Sequence, residues 1–274
     1  MSNEQPFVQR LDHIIFCARD RHAWANEIER VLALSRGRGR DSDEWGFSNW
    51  EFDVGDGFLG LVSPEGSSTL LDRFLERGGD RFYAISVQVA SIKEAAANFE
   101  AKGIEYRPAL RDSQPVLLWP KPAGTAGVLF QVIEGTEVAR GANANLLGLR
   151  RVIVANADRR AAVEQLQAAF GFGTAVEAHD ERLAADVSIL SIPSSPLGNE
   201  IVIAEPSGDG PVAHHIARFG TSIFEWTLAV ESVAAEVARL RAIGIDCTTD
   251  GNATAFLPPG VLGTIRIAFN QRNA

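Results

Sequence analysis

Cysteine is scarce: the 274 residues contain two, Cys17 and Cys247. They lie far apart, which excludes a disulfide framework and a paired-cysteine metal knuckle. Cys17 alternates with apolar residues and reads as a small buried hydrophobe. No apolar run approaches the roughly 20 residues needed to span a bilayer. The N-terminal Met-Ser-Asn-Glu-Gln-Pro has neither the charged nor the apolar region of a signal peptide, so a cytoplasmic location is expected. Positive charge is also short: a net charge of -9 and a pI near 5.1 disfavour a nucleic-acid phosphate surface or an anionic membrane as partner. The one basic cluster, Arg36, Arg38 and Arg40, is spaced by glycines and reads as a solvated loop after the first helix, or as a contact for an anionic substrate tail such as a phosphate or CoA. Gly37 and Gly39 follow a helix rather than a strand, which excludes a phosphate-binding loop of the usual kind. No grouping of Ser, Cys, His and acid has the spacing of a nucleophilic triad.

What is present is apolar and periodic. At 46% hydrophobic, the chain can bury a core for one large or two ordinary domains. The stretch Leu11 to Asp20 reads as an apolar strand with an imidazole, His13, near its start, breaking at Arg19-Asp20 into a helix that runs to about Leu34. On that helix Trp24, Ile28, Val31 and Leu32 fall on one face. Strands follow over 45–54 and 57–63, with turns at Gly55-Asp56-Gly57 and from Pro64, and then a linking helix from Thr69 to Arg77. A second unit opens at Phe82 as an alternating strand. Ser91 with Glu94 forms a capping-box signal, the helix stops at Gly103, and strands lie around 114–119 and 127–133.

Between Glu134 and Asn145 the chain turns small and polar, as a linker does. The second half then repeats the first. Leu149 to Val154 lies over Leu11 to Phe16, Glu200 to Pro206 over Phe58 to Pro64, and Phe224 to Val230 with the helix from Ser232 over Tyr83 to Val89 with the helix from Ser91. The spacing between equivalent positions, His13 to Arg151 and Ala84 to Glu225, is nearly constant, which is the signature of internal duplication.

Paired strand-helix-strand-strand-strand modules that open on Leu-Asp-His-Ile and close on Trp-Pro-Lys-Pro and Gly-Val-Leu-Phe-Gln resemble the vicinal oxygen chelate superfamily, its glyoxalase-like branch above all. The resemblance implies an α+β fold of four βαβββ modules in two tandem domains with curved mixed sheets. The first domain is expected over 8–135, the linker over 136–146 and the second domain over 147–271. It also implies one divalent metal (Zn, Fe, Mn, Co or Ni) per module pair, held from the first and last strands. In the first domain those positions are His13, Gly60, Ala84 and Gln131. Only His13 and Gln131 can ligate, fewer than the three or four ligands of a catalytic site, so the expectation is a weakened metal site or none. In the second domain the positions are Arg151, Val202, Glu225 and Ile267, and an Arg151–Glu225 ion pair is expected to stand where the metal stands in relatives.

The remaining expectations concern the trough of the first sheet. Trp50 and Glu51 are neighbours on a strand, so one alone faces His13. With Glu51 inward, His13 and Glu51 are a proton-transfer pair. With Trp50 inward, the trough is an aromatic slot lined by Trp45, Trp50, Trp119 and Gln131. Tyr83 is read on the face opposite Ala84, and His214-His215 as surface residues. The resemblance implies a lyase or isomerase for a small carbonyl or acyl-thioester substrate. The alternatives are a metal-free protein binding an antibiotic or aromatic metabolite, and an extradiol-type dioxygenase. The expected partner is a small molecule, on a monomer or a homodimer.

Overall fold

The structure is a computed structural model that describes residues 7–42, 46–65, 69–135, 143–251 and 253–272. The first half runs β1 (Val8–Cys17), α1 (Arg21–Leu32), β2 (Arg36–Ser42), β3 (Phe47–Val54), β4 (Gly57–Pro64), α2 (Thr69–Gly78), β5 (Arg81–Val89), α3 (Ile92–Ala101), β6 (Tyr106–Arg111), β7 (Gln114–Pro120) and β8 (Leu129–Glu134). The second half runs β9 (Leu146–Ala155), α4 (Arg159–Phe170), β10 (Val176–Asp180), β11 (Ala185–Ser191), β12 (Glu200–Pro206), α5 (Pro211–Phe219), β13 (Ser222–Val230), α6 (Val233–Ala242), β14 (Thr248–Asp250), β15 (Thr254–Phe256) and β16 (Ile267–Gln271).

The four helices that follow a module's first strand start by one device. Asp20, Ser91, Asp158 and Ser232 each sit at the N-cap and accept from the backbone N–H three residues on. That bond satisfies one of the donors a helix start leaves open. Two of these helices end on a left-handed residue, Ala33 at φ 53° and Gly171 at φ 71°, the conformation that closes a helix C-terminus.

Each half contributes one 8-stranded mixed sheet, in the orders β2-β3-β4-β1-β5-β8-β7-β6 and β10-β11-β12-β9-β13-β16-β15-β14. The first strand of a module pairs parallel with its last, as β1 does with β4 and β5 with β8, and hairpins supply the antiparallel neighbours. The stretch around Arg36 to Arg40 is therefore the edge strand β2 and not a loop. Its glycines explain why: a Cβ on Gly39 would lie 2.5 Å from the Trp50 ring on the adjoining strand.

Contacts divide the chain into two compact units that do not follow its order: residues 1–12, 84–137 and 151–224 form one, and residues 13–83, 138–150 and 225–274 the other. In the first unit Phe99, Phe130, Phe170 and Phe172 interlock at ring distances of 4.8–6.1 Å, and Asn98 donates to the Ala169 carbonyl. In the second unit Phe16 meets Trp24 and Phe82, and Phe82 meets the fully buried Trp226. Asp80 ties that unit together. Its carboxylate accepts from the Trp24 indole and the Arg19 N–H, and its carbonyl accepts from the Thr264 hydroxyl.

Cys17 is fully buried, as its strand position suggested. Burial first, then the nearby Asp80, pushes its thiol up to about 12, and burial, then Cys17, pushes the Tyr83 hydroxyl up to about 12. Both groups keep their protons in the fold at pH values where the unfolded chain releases them. The stability they contribute is complete below about pH 9 and is lost as the pH climbs from there toward 12. Urea midpoints measured from pH 8 to 11 should fall steadily, and Cys17→Ala should flatten the decline. A thiol reagent at pH 8 should modify the half-exposed Cys247 and leave Cys17 untouched until the protein unfolds.

Candidate functional site

Strand register lays out one face of the second unit row by row. His13 is paired with Phe58, which is paired with Asp53; Ile15 is paired with Gly60, which is paired with Glu51. Directly paired residues point to the same side of a sheet. His13, Ile15, Glu51, Asp53, Phe58 and Gly60 therefore share a face. His13 is buried, and its imidazole lies flat on the Phe58 ring, 3.8 Å between centroids and 19° between planes.

Trp50 belongs to the opposite face. It pairs with Leu61, a fully buried core residue, and its indole meets His22 of α1 edge-on at 4.8 Å. The guanidinium carbons of Arg21 and Arg36 lie 4.3 and 4.2 Å from the Trp50 ring centroid. The choice left open by the sequence thus resolves in favour of Glu51, and the expected role of Trp50 in a slot beside His13 is corrected. Trp45 lies outside the described residues.

In the first unit Gln131 of β8 is paired with Ser86 of β5, whose hydroxyl donates to its side-chain oxygen at 3.2 Å. Trp119 falls on the same face, because Leu117 pairs with Ile133 and alternation carries Leu117 to Trp119 and Ile133 to Gln131. Leu118, Phe130 and Val132 point the other way into the core. Gln131, Ser86 and Trp119 thus share one face of the sheet, where Trp119 is half-buried.

The donor set does not fit a chelated divalent metal. Of the four positions, Gly60 and Ala84 carry no donor, the Gln131 oxygen accepts from Ser86, and the His13 ring is stacked on Phe58. Among the described residues no group of three or more His, Cys, Asp or Glu is placed to hold a metal ion. Catalytic zinc and iron sites draw on three protein ligands.

In the second half Arg151, expected to pair with Glu225, has Glu200 as its carboxylate partner. The Arg151 guanidinium is bound to Glu200, at 2.7 Å from Nε and 2.6 Å from an Nη atom. Glu200 is the residue directly across from Arg151 in the β9–β12 pair and shares its face. Register also moves the last position by one. Thr227 pairs with Ala268 as Ser86 pairs with Gln131, so Ala268, and not Ile267, is the counterpart of Gln131. Of the histidine pair, His214 is exposed and bridges to Asp209, as a surface residue should. His215 is half-buried, bonded to Ser222 and packed on Phe219 and Phe224. Tyr83 packs edge-on against Phe74 of α2.

Phe58 and Ser86 were not singled out from sequence. Both carry a usable signal: each is the register neighbour of a residue that was, Phe58 across from His13 and Ser86 across from Gln131.

A family model described as a glyoxalase-like domain matches residues 11–170. The chain belongs to that family, within the vicinal oxygen chelate superfamily. Among solved structures, a variant of 4-hydroxymandelate synthase from Streptomyces coelicolor has a TM-score of 0.78 at 13% identity, over 98% of this chain and 94% of its own. A xylose isomerase-like TIM barrel/4-hydroxyphenylpyruvate dioxygenase fusion protein has a TM-score of 0.67 at 14% identity, over 98% of this chain and 49% of its own. At such identities the likeness establishes the fold alone. No curated protein sequence matches the chain. No helix among the described residues is long and apolar enough to cross a membrane.

Proposed function

We propose that the protein is a lyase or isomerase of the glyoxalase-like branch, moving a proton beside the carbonyl of a small oxygen-rich substrate or acyl thioester. The observation that carries this reading is the shared face of His13 and Glu51, fixed by pairing across β1, β4 and β3. A carboxylate and an imidazole on one sheet face supply the two groups that enolisation needs. Glu51 takes the proton from the carbon next to the carbonyl, and His13 donates a hydrogen bond to the oxygen on which negative charge develops. The flat Phe58 ring holds the imidazole in place, so little reorganisation accompanies the charge shift. Return of the proton from Glu51 to the former carbonyl carbon of an enediolate, with the hydroxyl proton passing between the two oxygens, completes an isomerisation of an α-hydroxy carbonyl. Loss of a neighbouring leaving group instead completes an elimination.

The test is isotope exchange. In D2O with a strong chelator present, the wild-type protein should exchange the α-proton of at least one member of a panel of 2-oxo acids, α-hydroxy ketones and acyl thioesters. Exchange that stops with chelator and returns with added metal would overturn the acid–base route.

A second reading has its own support. The stacked His13–Phe58 pair is a flat apolar floor, and Gly60 places no side chain beside it. Such a floor suits an aromatic metabolite or antibiotic held without turnover. Absence of exchange across the panel, with saturable binding of a flat aromatic, would establish this reading in place of the first. A ring-cleaving dioxygenase has less support, because Gly60 and Ala84 supply no ligand atom.

A further inference from the structure

Four strands stand at the ends of the two sheets: β2 and β6 of the first, β10 and β14 of the second. An edge strand offers a row of backbone N–H and C=O groups to any strand that approaches, and folds commonly blunt such edges. Three of the four are blunted here. β2 is interrupted by a register shift between Arg36 and Gly39. β6 contains Pro108, which has no N–H to give, and a shift between Ala109 and Leu110. β14 is only three residues long.

β10 has none of these features. Its five residues, Val176 to Asp180, contain neither Pro nor Gly and pair with β11 without a shift. Four of the five are exposed, Val176 at 61%. Charged side chains can also protect an edge, but those of β10 are engaged within their own sheet: Glu177 is ion-paired with Arg159, and His179 is bonded to Asp186.

The strand also matches itself. Antiparallel pairing of two copies about Ala178 sets Glu177 across from His179 and Val176 across from Asp180, so no like charges stand directly opposite, and Val176 falls diagonal to the other Ala178. Moving the axis by one residue spoils this. Centred on Glu177 the strand meets its own carboxylate, and centred on His179 it sets Glu177 against Glu181.

We infer that β10 is a dimerisation edge: two copies of the chain join antiparallel β10 strands across a two-fold axis at Ala178, fusing their second sheets into one continuous sheet. Two short edges bury less surface than a permanent dimer does, which sets the dissociation constant on the order of micromolar. The inference concerns assembly and does not rest on the proton-transfer reading.

Sedimentation velocity of the full-length protein between about 1 and 100 μM should show a reversible monomer–dimer equilibrium. Ala178→Lys places two ammonium groups against each other at the axis and should weaken dimerisation by at least about tenfold, and Ala178→Glu should do the same with two carboxylates. An equimolar mixture of the two variants should dimerise again, a recovery that general damage to the surface would not give. Val176→Asp, set against the partner subunit's Asp180, should also weaken the dimer by about tenfold. If either Ala178 variant does not fold, Val176→Asp decides. A wild type that stays monomeric over the whole range, a dimer indifferent to changes at positions 176 and 178, or a mixture that remains monomeric overturns the proposal.

Discussion

Glu51→Gln should lower α-proton exchange by about 10²–10⁴-fold, the usual loss when a positioned general base is removed. The substitution keeps the size and shape of the side chain and removes only its basicity. Glu51 is half-buried, so the unfolding free energy of the variant should stay within about 0.5 kcal/mol of wild type. Its neighbour provides the opposite control. Trp50→Ala removes an indole from the helix side, where Arg21, His22 and Arg36 pack on it. That change should lower the urea midpoint and leave the exchange rate nearly intact. Exchange unaffected by Glu51→Gln, or lost equally in both variants, would show that the shared face of His13 and Glu51 is not the reactive one.

Gly55→Ala should cost about 3–5 kcal/mol of folding free energy, among the largest single-residue losses available in the molecule. Gly55 lies at the β3–β4 hairpin tip with φ 59°, a conformation that suits glycine. A Cβ there would fall 2.0 Å from the backbone of Leu147, and the next residue, Asp56, donates its N–H to the Leu147 carbonyl at 2.9 Å. The added methyl must push the hairpin tip off the start of β9 and break that bond. Gly79→Ala separates the two causes, because Gly79 has φ 69° but nothing within 4 Å of its Cβ position. It should cost only the left-handed strain, about 1 kcal/mol. Similar urea midpoints for the two variants would mean that the hairpin tip yields freely.

Much of this architecture was legible before any coordinates. The N-caps Ser91 and Ser232, the turn at Gly55-Asp56 and the alternation in β5 are local signals, and each produced the expected element. Duplication supplied the rest, since one module read well predicts three more. The failures were of another kind. Whether Glu51 or Trp50 faces His13 depends on which residue of β4 each one meets, and a strand read alone is symmetric about its two faces. The partner of Arg151 was misassigned for the same reason: Glu200 is remote in sequence and adjacent only through parallel pairing. β2 was read as a loop because glycine is depleted in strands. Here Gly39 is required by the neighbouring indole, a reason that lies on another strand.

The division into units also sets a schedule for biosynthesis. The unit that carries His13 and Glu51 contains residues 13–83, 138–150 and 225–274, segments far apart in the sequence. Residues 13–83 are synthesised well before residues 225–274, and Phe82 has no Trp226 to pack against until the later segment has been translated. Until then a nascent chain exposes apolar surface of the kind that chaperones recognise. Truncation before residue 225 would therefore leave the unit that holds His13 and Glu51 without part of its core.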